Sequence, residues 1–284
     1  MARTRTRIKK TSGEEVPFSE KKLRRSLSRS GADPATIDEI VRTLSAELYT
    51  GMTTREIYNR AFALLKGHEK SFAARYKLKK AIYELGPTGF PFEKFVSSLL
   101  NYSGYHTVTN QVYQGACVKH EIDIVARNGG SLTLIECKFH SEEGRNCTVR
   151  VPLYINSRYR DVAAGKTVSA SPELRLKPAW VVTNTRFTSD ALAYGKCAGM
   201  YLLSWNHPRG NGLKDRIDRH RLYPITVSVL LSAREKEFLL KREVVLGRQL
   251  LEAPYLLDHL GVSQSRKSRI LDEFEVLCNH KKKP

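Results

Sequence analysis

The sequence predicts a mixed α/β chain in three parts: a small α+β unit over residues 1–86, a unit of helices and strands over 87–208, and a helical region over 209–284. Three observations predict it. Apolar residues recur at helical spacing in the first and last parts. The middle part passes from a helix through two strand-like runs and then through strand, helix and strand, a β-α-β succession. The Gly/Pro cluster GPTGFP, residues 86–91, separates the first part from the second.

Taken in order, IKKTSGEEVPF carries a turn at Ser12-Gly13 between two extended pieces. Ser19 or Glu20 opens a helix through KKLRRSLSRSG that stops at Gly31. In DPATIDEIVRTLSAELYTG, Asp33 precedes Pro34 at a first-turn position, and Ile37, Ile40, Val41, Leu44 and Leu48 repeat at helical spacing. Thr53 and Glu56 form the S/T-x-x-E pattern of a capping box at the start of a third helix, and SFAARYKLKKAIYEL continues as helix to the linker. Beyond the linker, PFEKFVSSLLNYSGY is a helix, AWVVTN a short buried strand, SDALAYGKCAG an amphipathic helix with a Gly stop, and MYLLSW another strand. From about residue 209 the chain is polar. Ser232 with Glu235 then caps a helix expected to run through Leu251, and LLDHLGVSQSRKSRILDEFEVL reads as helix, turn, helix before a KKKP tail.

The chain holds 48 Lys and Arg against 29 Asp and Glu, a formal net charge of +19, which points to a polyanionic partner such as nucleic acid. No apolar run approaches the roughly 18 residues of a membrane-spanning helix. The basic start MARTRTRIKK lacks the apolar segment of a secretory signal, so a cytoplasmic protein with no membrane partner is expected. The five cysteines form no C-x-x-C pair and are expected to be reduced thiols.

The chemistry concentrates in HEIDIVARNGGSLTLIECKFH, where Glu121, Asp123, Glu136 and Lys138 interrupt apolar runs. Side chains alternate along a strand, so Glu121 and Asp123 share one side of the first run, and Glu136, Lys138 and His140 share one side of the second. A hairpin through RNGGS brings Asp123 near Glu136 and Lys138. Two close carboxylates repel unless a cation neutralises them, and hard oxygen ligands suit Mg2+ or Mn2+. Lys138 then stands over the same site, able to orient or deprotonate a water or to balance charge on a scissile phosphate. The alternative is a structural salt-bridge cluster of Asp123 and Glu136 around Lys138. The preceding helix carries a further acid, Glu93, within the apolar stripe Phe92, Phe95, Val96, Leu99 and Leu100.

On FEKFVSSLLNYSGYHTV, HEIDIVA and LIECKFH, residues 87 to about 208 resemble a PD-(D/E)xK nuclease domain of the restriction-endonuclease-like, Mrr-like group. The resemblance implies a mixed sheet flanked by helices, Asp123 and Glu136 as metal ligands, Lys138 as their catalytic partner and Glu93 as the acid of the first helix. Ile122 stands where that motif has proline. The helix VPLYINSRYRDV offers Tyr154, Asn156, Arg158 and Asp161 as a further polar group, with no choice among them. On IKKTSGEEVPFSEKKLRRSLSRSGA, TTREIY and AARYKLKKAI, residues 1 to about 86 resemble an ATP-cone, a nucleotide-sensing module. That resemblance implies ATP or dATP as a regulatory ligand with Lys9, Lys10 and Lys22 on its phosphates, although Thr11 and Ser12 replace an Arg-Asp pair often found there.

The expected function is therefore that of a metal-dependent endonuclease acting on DNA, controlled by a nucleotide and working as a homo-oligomer. The alternative is a nucleotide-responsive nucleic-acid-binding regulator with an inactive nuclease fold. AAGKT at 163–167 ends like a P-loop but has Arg160 where Gly is required, and His140 with Cys137 lacks the second ligand pair of a zinc site. The helices around the LGVS turn are taken to pack a core or a dimer ahead of a DNA-reading helix-turn-helix.

Overall fold

The computed structural model describes residues 6–10, 12–165 and 175–279; Lys166 and Thr167 of AAGKT, and the KKKP tail, lie outside the described residues. Strands β1 (Arg7–Lys9) and β2 (Glu15–Pro17) form an antiparallel hairpin with Ile8 opposite Val16, and Gly13 takes a φ of 85° at its turn. Ser19 caps α1 (Glu20–Arg29), and the Asp33 carboxylate accepts from the Thr36 N–H at the start of α2 (Pro34–Glu47). Thr53 and Glu56 bond reciprocally at the start of α3 (Thr54–His68). The next helical tract divides at Lys77 into α4 (Lys70–Tyr76) and α5 (Leu78–Tyr83). Leu23, Leu27, Ile40, Leu44 and Leu65 close the core of this unit.

Helix α6 (Phe90–Asn101) follows, with Phe90 and Pro91 of the linker drawn into its first turn. The main sheet comprises β3 (His106–Gln114), β4 (Lys119–Asn128), β5 (Ser131–Lys138), then, beyond the two-residue β6 (Asn146–Cys147) and helix α7 (Arg150–Ala164), β7 (Arg175–Thr183). Another two-residue strand, β8 (Arg186–Phe187), and α8 (Ser189–Cys197) lead to β9 (Tyr201–Leu203). The five-stranded order is β3-β4-β5-β7-β9, antiparallel from β3 to β5 and parallel from β5 to β9, which is the mixed α/β class read from the sequence. Strands β6 and β8 pair separately and in parallel.

Three elements depart from the sequence reading. Strand β3 was not expected: it is an edge strand, HTVTNQVYQ, whose exposed positions alternate with half-buried ones and which therefore lacks an apolar run. The polar stretch after 209 contains α9 (Leu213–His220), which buries only Leu213 and Ile217. The helix capped by Ser232 stops at Leu240 (α10, Ala233–Leu240); Glu243 takes a φ of 61°, and the backbone of Val245 and Leu246 pairs with the Pro224–Ile225 segment before α11 (Gly247–Glu252). Tertiary pairing there overrides helical spacing, helped by the β-branched Val244-Val245 pair. The final elements are the four-residue α12 (Leu256–His259), a turn at Gly261 and α13 (Gln264–Cys278). Leu257, Ile270, Phe274 and Leu277 pack into the core, as the core-packing reading of LGVS requires.

One apolar core joins α4, α5 and α6 to one face of the sheet and to the C-terminal helices, from Ala74 through Phe92, Leu99, Ile124 and Val182 to Phe274 and Cys278. On the other side, Ile122, Val125, Leu132 and Leu134 pack with Val162 of α7. Among the described residues no helix is long and apolar enough to cross a membrane.

Candidate active site

Strands β4 and β5 are laddered from the Asn128–Ser131 pair to the Ile124–Ile135 pair, where the backbone register ends. At that point the side chain of Asp123 replaces the ladder: its Oδ2 accepts the Cys137 N–H at 2.8 Å. The parallel ladder on the other edge of β5 continues through Glu136 and Lys138 to Thr183, so these residues are held from β7 while their β4 side opens. The acidic site sits in that opening.

Asp123 and Glu136 are half-buried, and Glu93 reaches the same region from the first turn of α6. Burial raises Glu136 first, with the charges of Asp123 and Glu93 adding to it, so its carboxyl is pushed up to about 7 even with Arg158 opposing. Glu93 is likewise pushed up to about 7, by burial and then by Asp123 and Glu121. Burial also raises Asp123, against the pull of the Cys137 N–H and Arg158. The Asp123 charge raises both Glu93 and Glu136, and Glu93 adds to the rise at Glu136, a negative field that a cation relieves.

The structure selects one of the four polar residues of α7. Arg158 Nη1 donates to Glu136 Oε2 at 2.8 Å, and its Nη2 donates to the backbone carbonyl of Glu121. Asn156 instead bonds Tyr194 Oη at 2.7 Å, and Asp161 accepts from the N–H groups of Cys117 and Val118 and pairs with His120 at 2.7 Å, clipping the β3–β4 turn. Tyr154 is exposed, with the Arg158 guanidinium 5.5 Å from its ring centre. Lys138 ends β5, exposed, and among the described residues it makes no ion pair with Asp123 or Glu136. The salt-bridge cluster around Lys138 is therefore not formed; the cation on Glu136 is Arg158, which residue spacing alone left unresolved. His140 is fixed on both sides of its backbone by Asn184, at 2.9 and 2.8 Å.

Asp123 and Glu136 suit a hard divalent ion that keeps waters and takes one or two carboxylates. No group of three or more His, Cys, Asp and Glu side chains among the described residues is arranged to hold a metal ion. A cation at these two carboxylates would draw the rest of its shell from water and substrate oxygens.

In the N-terminal unit, Lys10 and Lys22 line two adjoining clefts. One, of about 670 Å³, also has Phe18, Ser19 and Lys21 in its wall. The other, of about 220 Å³, is apolar and is walled by Ile8, Phe18, Tyr58 and Tyr76. Lys9 lines neither cleft; its N–H donates to the Met52 carbonyl at 3.0 Å, tying the hairpin to the start of α3.

Residues 6–84 match the ATP cone domain family and residues 223–278 match the family described as AF1548-like, C-terminal, so the chain carries an ATP cone at one end and an AF1548-like domain at the other. An uncharacterised protein of Archaeoglobus fulgidus is 28% identical over 179 residues, which are 63% of this chain and 97% of that protein. A crystal structure of AF1548, described as a protein of unknown function, is similar at 28% identity with a TM-score of 0.55, covering 67% of this chain and 98% of that one.

Proposed function

We propose that the sheet unit hydrolyses phosphodiester bonds in nucleic acid, DNA foremost, with Mg2+ or Mn2+ bound by Asp123 and Glu136, and that ATP or dATP on the ATP cone controls the reaction. The observation that carries this reading is the meeting of Asp123 and Glu136 where the β4–β5 ladder ends, beside Lys138, which makes no ion pair among the described residues. When bound, the cation supplies an acidified water and offsets charge building on the scissile phosphate. The chain's own residues do the rest. The Cys137 N–H fixes the Asp123 carboxylate, and Arg158 sets the orientation of Glu136. Lys138 either orients and deprotonates the attacking water or balances charge on the phosphate, and Glu93 holds a proton near neutral pH that it can give up. The net charge of +19 supplies attraction for the nucleic-acid backbone. Lys10 and Lys22, in adjoining clefts of the cone, support the nucleotide half of the reading.

Arg158 favours a second reading, a nucleotide-responsive nucleic-acid-binding regulator with an inactive nuclease fold, because a guanidinium already neutralises Glu136. The test is to incubate the full chain with plasmid, linear duplex, single-stranded DNA and RNA in Mg2+ or Mn2+, with and without ATP or dATP. Cleavage that needs the metal and responds to nucleotide is expected. Nucleotide-dependent binding of nucleic acid with every substrate left intact would establish the regulator reading.

A further inference from the structure

Between the ATP cone and the sheet lies a cleft of about 640 Å³ that neither half of the proposed function uses. Its walls come from three places: Lys10 and Thr54 of the cone, Lys79 and Tyr83 of α5, and Glu143, Arg145, Arg186 and Trp205 of the sheet unit. Lys10, Lys79, Arg145 and Arg186 outnumber the single acid, Glu143, so the lining is net positive. No ion pair among the described residues satisfies Lys79 or Arg186, and Lys10 is held by Glu14 at 2.7 Å. Loss of solvent around Lys79 lowers its pKa; Glu143 opposes that shift and Arg186 reinforces it. Two cations that feel each other across a cleft call for an anion between them.

Both arginines are exposed; Arg145 pairs with Glu142 at 3.6 Å, and Arg186 belongs to a short strand. Asn146, next to Arg145, pairs with Arg186 in the parallel β6–β8 ladder, and the Thr188 N–H donates to the Cys147 carbonyl at 3.1 Å. This cleft also adjoins the 220 Å³ apolar cleft of the cone, since Lys10 and Thr54 line both. In the apolar cleft Tyr58 stacks on Tyr76 with ring centres 5.1 Å apart, and the buried Tyr58 hydroxyl has no hydrogen-bond partner among the described residues. An apolar recess with an unmet hydroxyl, beside a lysine that also lines a larger cationic cleft, matches a ligand with a flat base at one end and several phosphates at the other.

We infer that this cleft is a polyphosphate site in which Lys79, Arg145 and Arg186 take the distal phosphates of a nucleoside triphosphate whose base rests on the cone at Tyr58 and Tyr76. The inference rests on the cone binding nucleotide and adds that the sheet unit completes the site. The ligand then bridges the cone to the segment that leaves β5: residues 139–144 join Lys138 to Arg145, and Asn184 clamps His140 within them. Phosphates gripped at Arg145 and Arg186 therefore act on the strand end that carries Lys138, and the number of phosphates becomes what the protein reads.

The experiment is isothermal titration of the full chain and its Arg145→Ala, Arg186→Ala, Arg186→Lys and Lys22→Ala variants with ATP and with AMP. Arg145→Ala and Arg186→Ala are expected to weaken ATP about tenfold each, equivalent to about 1.4 kcal/mol, to leave AMP affinity and thermal unfolding unchanged, and to be partly rescued in Arg186→Lys. ATP affinity unchanged in both arginine variants but lost in Lys22→Ala would overturn the bridge and keep the cone as the nucleotide site. Equal weakening of ATP and AMP would make the arginines merely structural and overturn it too. Unchanged ATP affinity with weakened binding of a DNA duplex would give the cleft to nucleic acid instead. A wild-type chain that binds no ATP at millimolar concentration would remove both the bridge and the cone reading beneath it.

Discussion

Replacing Arg158 with Met keeps an apolar stem beside Ile122 and Leu134 of the sheet but leaves the half-buried Glu136 without its cation. An ionised partner stranded in this way costs about 1–3 kcal/mol. Arg158 stabilises only the ionised carboxylate, so the loss should appear above pH 7 and fade at pH 5, where Glu136 is protonated. Thermal unfolding of Arg158→Met at both pH values checks this, and an equal drop at each would mean that Arg158 acts by packing alone. The raised pKa values of Glu136 and Glu93 carry a further consequence. Their folded values lie above the ordinary carboxylate value of 4.5, so their contribution to stability is complete below about pH 4.5 and is lost as pH rises through about 7. A divalent cation competes with those protons. Mn2+ affinity, measured by calorimetry, should therefore rise from pH 5.5 to about pH 7 and then level off, with protons released on binding. A pH-independent affinity would exclude Glu136 as a ligand. Asp123, Glu136 and Lys138 could be singled out in the sequence because charges stand out in strands with a period of two. Arg158 could not, because four polar residues occupy successive turns of one helix and only its packed rotation decides which faces β5.

Helix starts were legible wherever a cap is written locally: Ser19, Asp33, Thr53 and Ser232 each bond the backbone three residues on. Elements fixed by distant partners were not. Strand β3 is visible only through its pairing with β4, and the stop after Leu240 only through Val245 meeting the 224–225 segment. Where α11 crosses α13, a Cβ built at Gly247 would overlap the ring of the fully buried Phe274. Gly247→Ala should then cost about 1–3 kcal/mol by overpacking, despite the better helix propensity of alanine. Denaturant unfolding checks the sign: a stabilised variant would mean that the helices separate freely at this crossing.

Across the whole molecule, the core that starts at Ala74 is finished by Leu250, Ile270, Phe274 and Leu277, so the sheet's inner face depends on the last helices. A chain ending at residue 208 should lack a cooperative unfolding transition, as followed by circular dichroism in urea. Retention of a transition as sharp as that of the full chain would show that the sheet unit closes its own core. This joining of parts was not readable from the sequence, since periodicity marks which face of an element is apolar but not which distant element covers it. The mixed α/β class was readable, because it rests on element types and their order.

The most direct test of the account is the single-turnover rate of plasmid cleavage in Mg2+ by the wild-type chain, Asp123→Ala and Lys138→Ala, read beside their Mn2+ affinities. The account predicts metal-dependent cleavage by the wild type, loss of both cleavage and metal affinity in Asp123→Ala, and in Lys138→Ala a rate lower by roughly 10²–10⁴-fold with metal affinity retained. Cleavage by Asp123→Ala at the wild-type rate, or no cleavage by the wild type under any metal and nucleotide condition, would contradict it.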